Sequence, residues 1–156
     1  MSYRALAGFF VALVASSVLS PAAAQPAAVE VSLVDVTPGT PSGDGDWCVG
    51  AAEVTVRAHV VDVASGSEVT EGKLMWQFCA SLALGAFPKE DCDAHGPPPR
   101  WNSEQLDDLS ESPLASITFT PSLPVMGMRL QFRPAGGGGF KRATSAPFNL
   151  DTTCSP

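Results

Sequence analysis

Basic side chains are scarce in this sequence, and histidine is nearly absent. Nine lysines and arginines stand against 16 aspartates and glutamates, which gives a formal net charge of −7. Nucleic acids and anionic membranes are bound through lysine and arginine, so this balance argues against both as partners. The two histidines, His59 and His95, are far apart and have no ligand pair at metal spacing, and the sequence predicts no metal or cofactor site.

The residue groupings that carry catalysis are also missing. The sequence has no Gly-x-Ser-x-Gly segment, the turn that presents the serine nucleophile in many hydrolases. His59 falls on the outward face of a predicted strand, where a solvated surface residue is the simplest interpretation. The carboxylates around Asp44 and Asp91 lack the loop and closing glutamate of an EF-hand calcium site, so we interpret them as turn residues. We therefore predict that the protein is not an enzyme and has no catalytic residues.

The long apolar run of the chain is confined to its amino terminus. Arg4 is followed by an apolar stretch over 6–19, and the small residues 22–24 precede Gln25. These are the three parts of a secretory signal peptide, and the stretch is short for a membrane span. We expect cleavage to remove residues 1–24 and to leave a single domain over 25–156, without a membrane span, that is secreted or periplasmic.

Four cysteines lie in the predicted mature chain, at Cys48, Cys79, Cys92 and Cys154. None of them forms the C-x-x-C pair that is typical of a metal site. In an exported protein an even number of cysteines indicates disulfides, and four cysteines allow three pairings.

The strongest local pattern is an alternation of large apolar residues with mostly polar ones over 72–79. It predicts a central strand with one apolar face. Similar alternation over 54–60, 115–119 and 126–132 predicts further strands, as does that at both ends of the mature chain. Near the start, the parity slips between Leu33 and Val34, which indicates either a bulge or a strand that crosses between sheets. The predicted core residues are Val54, Val56, Leu74, Trp76, Phe78, Leu130 and Phe132.

The alternation is lost over about 80–113, which we interpret as an irregular insertion because its prolines interrupt a regular ladder. Residues 102–110 fit either a short helical turn or an edge strand around Trp101, and the pattern does not decide between them. A long irregular segment is where specificity is expected. Trp101 is either an exposed platform for a sugar or a partner side chain, or part of the core. Together with Arg100 and His95 it forms the predicted binding surface.

Three segments carry a family resemblance, namely 54–56, 72–77 and 127–134. They resemble strands of an immunoglobulin-like (Ig-like) domain, within that group the bacterial Ig-like domains of exported proteins. The resemblance implies an all-β, antiparallel β-sandwich of about seven strands. The second and sixth predicted strands lack the cysteines of antibody domains, and the sole tyrosine, Tyr3, lies in the predicted signal peptide. The resemblance is therefore to the wider Ig-like architecture.

Strand directions in such a sandwich place all four cysteines at one pole. Pairing Cys48 with Cys154 and Cys79 with Cys92 would join the two ends of the domain and tie down the start of the insertion. The rival pairing joins Cys48 to Cys79 and Cys92 to Cys154. We favour the first.

These features lead us to expect an exported, non-catalytic module for binding, adhesion or structural recognition through loops at one pole. Its partner would be a protein or a glycan. The alternative is a small secreted inhibitor or chaperone-like subunit that captures a partner by an exposed strand edge.

Overall fold

A computed structural model describes residues 25–81, 85–93, 99–136 and 139–154, and these form an all-β fold with one short helix. The predicted signal peptide and His95 lie outside the described residues. In chain order the elements are β1 (Val29–Thr37), β2 (Thr40–Gly43), β3 (Asp46–Cys48), β4 (Val54–Asp62), β5 (Lys73–Ser81), β6 (Gly85–Ala86), α1 (Lys89–Asp93), β7 (Arg100–Asp108), β8 (Ala115–Phe119), β9 (Val125–Arg133), β10 (Ala143–Thr144) and β11 (Phe148–Asp151).

The strands form two sheets. The smaller sheet has the order β1-β4-β8. The larger one runs β2-β3-β11-β9-β5, with β6 and β7 both pairing β5 and β10 pairing β9. All pairs of named strands are antiparallel except β3 and β11, which are parallel. The antiparallel arrangement expected from the sequence therefore holds except at β3.

One apolar core lies between the two sheets and draws side chains from both. Phe78 of β5 meets Phe119 of β8 edge to face, with the ring centroids 5.3 Å apart. Trp76 lies at the centre of β5 and is fully buried, and a buried tryptophan removes about 150–250 Å² from water. The seven core residues predicted from the sequence are all buried: Val54, Val56, Leu74, Trp76, Phe78, Leu130 and Phe132.

The parity slip in β1 is a bulge. The register with β4 shifts between Leu33 and Asp35, and pairing with β4 continues on both sides of the shift. The strand therefore stays in the smaller sheet and does not cross to the other, which decides between the two alternatives.

Two segments without apolar alternation contain strands, although we expected the second of them, the insertion, to be irregular. The turn-rich stretch 37–45 includes β2, which forms a hairpin with β3. Its tip has positive φ at Gly43, Asp44 and Gly45, so the glycines there serve a tight turn, and Pro41 is tolerated because β2 is an edge strand. The insertion at about 80–113 contains β7, nine residues long and paired with β5. Of the two alternatives for 102–110, the edge strand is the one observed.

The cysteines are joined as Cys48–Cys154 and Cys79–Cys92, the pairing that we favoured. β5 and β11 both run antiparallel to β9, so their carboxyl ends lie at the same end of the sandwich. Both disulfides lie at this end, which we call the disulfide pole. Two such disulfides indicate a non-cytoplasmic, oxidising environment, because disulfides persist in oxidising compartments. Across the described ranges, no helix is long and apolar enough to cross a membrane.

Candidate functional site

The helix α1 lies on the outer face of the larger sheet at the disulfide pole. The Cys79–Cys92 disulfide ties it to β5. Gly127 of β9 makes room for it, because a Cβ added there would lie 2.5 Å from the backbone nitrogen of Lys89. The Gly127 N–H also donates to the Phe87 carbonyl at 2.7 Å. The glycine is thus required by the close approach of two backbones.

A polar cluster around the buried Asn149 fixes the start of α1. Asn149 of β11 is only 7% exposed. Its Oδ1 accepts a hydrogen bond from the Lys89 backbone N–H at 2.8 Å, and its Nδ2 donates to Asp46 and Glu90 at 3.2 Å. Lys89 Nζ forms an ion pair with Asp46. Asn149 faces outward as its position in the alternation predicts, but α1 covers it. The described residues contain no cluster of metal ligands.

Trp101 lies beside this helix, on the same outer face. It is opposite Cys79 in the register of β5 and β7. Its indole N–H donates to Asp93 Oδ1 at 3.3 Å, and the guanidinium of Arg129 lies 4.6 Å from the indole centroid. Such a cation–π contact is worth about 0.5–1 kcal/mol when exposed and about 2 when desolvated. Trp101 is half-buried, so it is a surface residue held in one position and not part of the core.

Arg129 is held from its other side by Gln77. The Arg129 Nε donates to Gln77 Oε1 at 2.9 Å, and Gln77 Nε2 donates to Ser103 Oγ at 3.4 Å. Burial lowers the pKa of Arg129, and the charge of Asp93 partly opposes this shift. Within the described part of the chain, Arg129 forms no ion pair. The result is a partly desolvated cation, stacked on an indole and oriented by an amide.

The residues predicted to bind a partner are only partly brought together. Arg100 is exposed and adjacent to Trp101, but successive residues of a strand point to opposite faces, so it does not share the face of the indole. His95 lies outside the described residues. His59 is on the smaller sheet, where its Nδ1 lies 3.4 Å from Glu68 Oε1. A catalytic role was not expected for it.

Arg129 and Gln77 belong to this site although they were not predicted from the sequence. Asp93 belongs to it as well, although it was interpreted as a turn residue together with Asp91, and it is the last residue of α1. Arg129 and Gln77 are outward positions of predicted strands, and they are directly opposite in the β5–β9 register. The sequence feature that could have indicated this pair is a glutamine and an arginine at outward positions of two predicted strands. Asp93 follows Cys92 and is brought to Trp101 by the disulfide, which sequence spacing alone does not show.

The two strand edges that face each other across the sandwich are β7 and β8. Gln105 of β7 donates from Nε2 to the Ser116 carbonyl of β8 at 2.9 Å and to Asp107 Oδ1 at 2.6 Å. One backbone acceptor of the β8 edge is therefore already occupied. Two exposed leucines, Leu106 and Leu114, line a concavity beside this edge.

Comparison of the chain with protein-family models, with curated proteins and with solved structures gives no significant match.

Proposed function

We propose that the protein is an exported, disulfide-stabilised, non-catalytic binding module with an Ig-like β-sandwich, which recognises its partner at the disulfide pole. The observation that carries the proposal is the arrangement of Trp101, Arg129 and Gln77 beside α1. It is a rigid aromatic and cationic surface, and aromatic residues and arginine are the types enriched at binding hot spots.

The strand order supports the Ig-like assignment. A β4–β8 pair faces a sheet in which β11, β9, β5 and β7 are neighbours. In variable-type Ig domains, strands B and E likewise lie together in one sheet. The opposite sheet contains strands G, F and C and is extended beyond strand C by C′ and C″. The positions of the disulfides differ from those of antibody domains, in which the bridge links the two sheets.

Export is supported by the sequence of residues 1–24 and by the oxidation state of the cysteines. All four cysteines are in disulfides, which persist in oxidising compartments. The test is to express the full chain in an exporting bacterial host and measure the mass of the product. We expect an oxidised protein that begins at Gln25; a reduced cytoplasmic product that retains Arg4 contradicts the proposal.

Binding at the disulfide pole is tested by the Trp101→Ala variant. The oxidised mature protein is immobilised and exposed to native envelope and culture fluid, and retained partners are quantified. We expect the wild type to retain a partner and Trp101→Ala to lose at least 90% of it while its thermal transition stays cooperative. Leu106→Ala, on the same strand but away from the indole, is the matched control and should retain the partner. Equal retention by all three proteins argues against the Trp101 surface.

A second candidate function is capture of a partner strand at the β7 edge. Leu106 and Leu114 favour it, since they are 49% and 39% exposed beside that edge, although Gln105 already occupies part of it. In the same capture assay this function predicts the reverse pattern. The double variant Leu106→Asp/Leu114→Asp should lose the partner, and Trp101→Ala should keep it.

A further inference from the structure

The basic residues of this acidic protein are unevenly placed. Of the nine, Arg4 precedes the described residues, and among the other eight only Arg57 belongs to the smaller sheet. Three of the remainder, Lys73, Arg129 and Arg133, lie on the neighbouring strands β5 and β9. We call these three residues the basic stripe.

The basic stripe lies on the outer face of the larger sheet. Lys73 is directly opposite Arg133, and Gln77 is directly opposite Arg129. The alternate residues of the same two strands, such as Trp76 of β5 and Leu130 of β9, are buried in the core. The basic stripe therefore faces away from the core. At about 3.3 Å per residue, Arg129 and Arg133 are separated by roughly 13 Å along β9. Like charges directly opposite each other destabilise a strand pair, so the Lys73–Arg133 pair has a cost for folding.

Both arginines are oriented by glutamines. Arg129 donates its Nε to Gln77 at 2.9 Å, and Arg133 donates its Nε to Gln131 at 3.3 Å. Neither arginine forms an ion pair with any carboxylate in the described ranges. Each guanidinium is thereby fixed through one nitrogen, and its terminal nitrogens remain for a ligand.

Among the described residues, carboxylates approach both ends of the stripe. At one end, Glu71 and Asp108 line a concavity together with Lys73 and Arg133. Asp108 is opposite Lys73 in the β5–β7 register. Hydrogen bonds from Ser110 are the main cause of the lowered pKa of Asp108, and the charge of Lys73 contributes to it. At the other end, Asp93 accepts the hydrogen bond of the Trp101 indole. Lys73 and Arg129 are thus each partly balanced within the protein, Lys73 by Asp108 and Arg129 by Asp93. The charge available for binding comes mainly from Arg133 and from the part of the Arg129 charge that Asp93 leaves unbalanced.

We infer that the basic stripe binds a carboxylated polysaccharide lying along β9, with Arg129 and Arg133 each holding a carboxylate and Trp101 at one end of the site. This rests on the proposed function of the protein as a binding module and specifies its ligand. A guanidinium fork matches the geometry of a carboxylate and binds it through two parallel hydrogen bonds. Two such forks on one strand suit a ligand whose carboxylates recur at a fixed spacing.

An acidic polypeptide fits this face less well. β5 and β9 have neighbours on both sides along the stripe, so they offer no free edge for strand addition. Met75, between Lys73 and Gln77, is buried, and the exposed apolar side chain on this face is Leu106 of β7. A flexible acidic peptide also loses more conformational entropy on binding than a stiff polysaccharide chain.

The experiment measures binding of the oxidised mature protein to polygalacturonate by calorimetry at moderate ionic strength. Fully methyl-esterified polygalacturonate has the same backbone without its charges and serves as the ligand control. We expect binding to the acid form, and at least tenfold weaker binding to the ester. The double variant Arg129→Gln/Arg133→Gln should bind the acid form more weakly by about tenfold or more, since hydrogen bonds to charged groups are the stronger ones.

The matched protein control is Lys141→Gln/Arg142→Gln, which removes the same charge from two exposed residues outside the stripe. It should stay within twofold of the wild type, and the thermal transition of each variant shows that it is folded. Four results would overturn the inference: no binding of the acid form, equal losses in the two double variants, tighter binding to polyglutamate, or tighter binding to anionic lipid vesicles. Capture of a partner that depends on Trp101 does not depend on this result, so failure of this inference is distinguishable from failure of the proposed function.

Discussion

Trp76 is fully buried, yet its indole nitrogen keeps a hydrogen bond. Nε1 donates to Asp107 Oδ2 at 2.8 Å, and the other carboxylate oxygen accepts from Gln105 Nε2 at 2.6 Å. The partner comes from β7, an edge strand whose inward side chains are polar at this point. An unpaired N–H in the core is costly because it loses its hydrogen bonds to water on folding.

Replacing Asp107 with alanine should therefore destabilise the fold. We expect a loss of roughly 1–3 kcal/mol in the free energy of unfolding, the cost of leaving a buried donor unsatisfied. Urea denaturation of the oxidised protein measures it. Asp107→Asn keeps an acceptor oxygen and should lose less. In a double-mutant cycle with Trp76→Phe, the two changes should be coupled; strictly additive effects would show that this hydrogen bond does not account for the loss.

The inward position of Trp76 followed from its alternation with polar residues, but its partner did not. Asp107 is 31 residues further along the chain, in a segment where the sequence favoured helix and strand equally. A hydrogen-bond partner of this kind is set by strand pairing, and a single sequence does not reveal the register between distant segments.

At the scale of elements, α1 is held by the close approach of its first residue to β9. Gly127→Ala should force Lys89 away, because the new Cβ would lie 2.5 Å from its backbone nitrogen. Added volume of this kind costs about 1–3 kcal/mol in a well-packed site. We expect that loss in urea denaturation, together with altered tryptophan fluorescence as Asp93 moves from Trp101. Gly136→Ala is the matched control, since a Cβ there meets no atom within 4 Å. Equal stabilities of the two variants would contradict the account of α1.

In each strand that was predicted from apolar alternation, one face packs against the core and the other does not. β4 and β9 alternate clearly for this reason. β7 does not, because Gln105 and Asp107 point toward the core with polar groups that bond to β8 and to Trp76. β2 is four exposed residues long, so it has no apolar pattern. Edge strands that bury little were therefore the ones the alternation missed.

At the scale of the whole molecule, the strand directions of an Ig-like sandwich placed the cysteines at one pole and led us to favour the observed pairing over its rival. The sequence also indicated Trp101, but not the residues that it contacts. The order of the strands places both disulfides at one pole whatever the details of the insertion. The contact of Arg129 with Trp101 needs three strands in register and α1 in place. That information is distributed over four separate segments, and no local motif encodes it.

The two disulfides should make different contributions to stability. They span 106 and 13 residues, and loop-closure estimates give about 5 kcal/mol for the long loop and about 3 kcal/mol for the short one. We expect Cys48→Ala/Cys154→Ala to lose more stability in urea denaturation than Cys79→Ala/Cys92→Ala. Loss of the short disulfide, in contrast, should have the larger effect on local structure. Without Cys79–Cys92, α1 depends on Asn149 and Asp46, so limited proteolysis should cleave first between β5 and β7 while the sandwich stays folded. Protection of that segment in the Cys79→Ala/Cys92→Ala variant would show that the polar cluster alone positions α1, and that the short disulfide is not needed to hold Asp93 against Trp101.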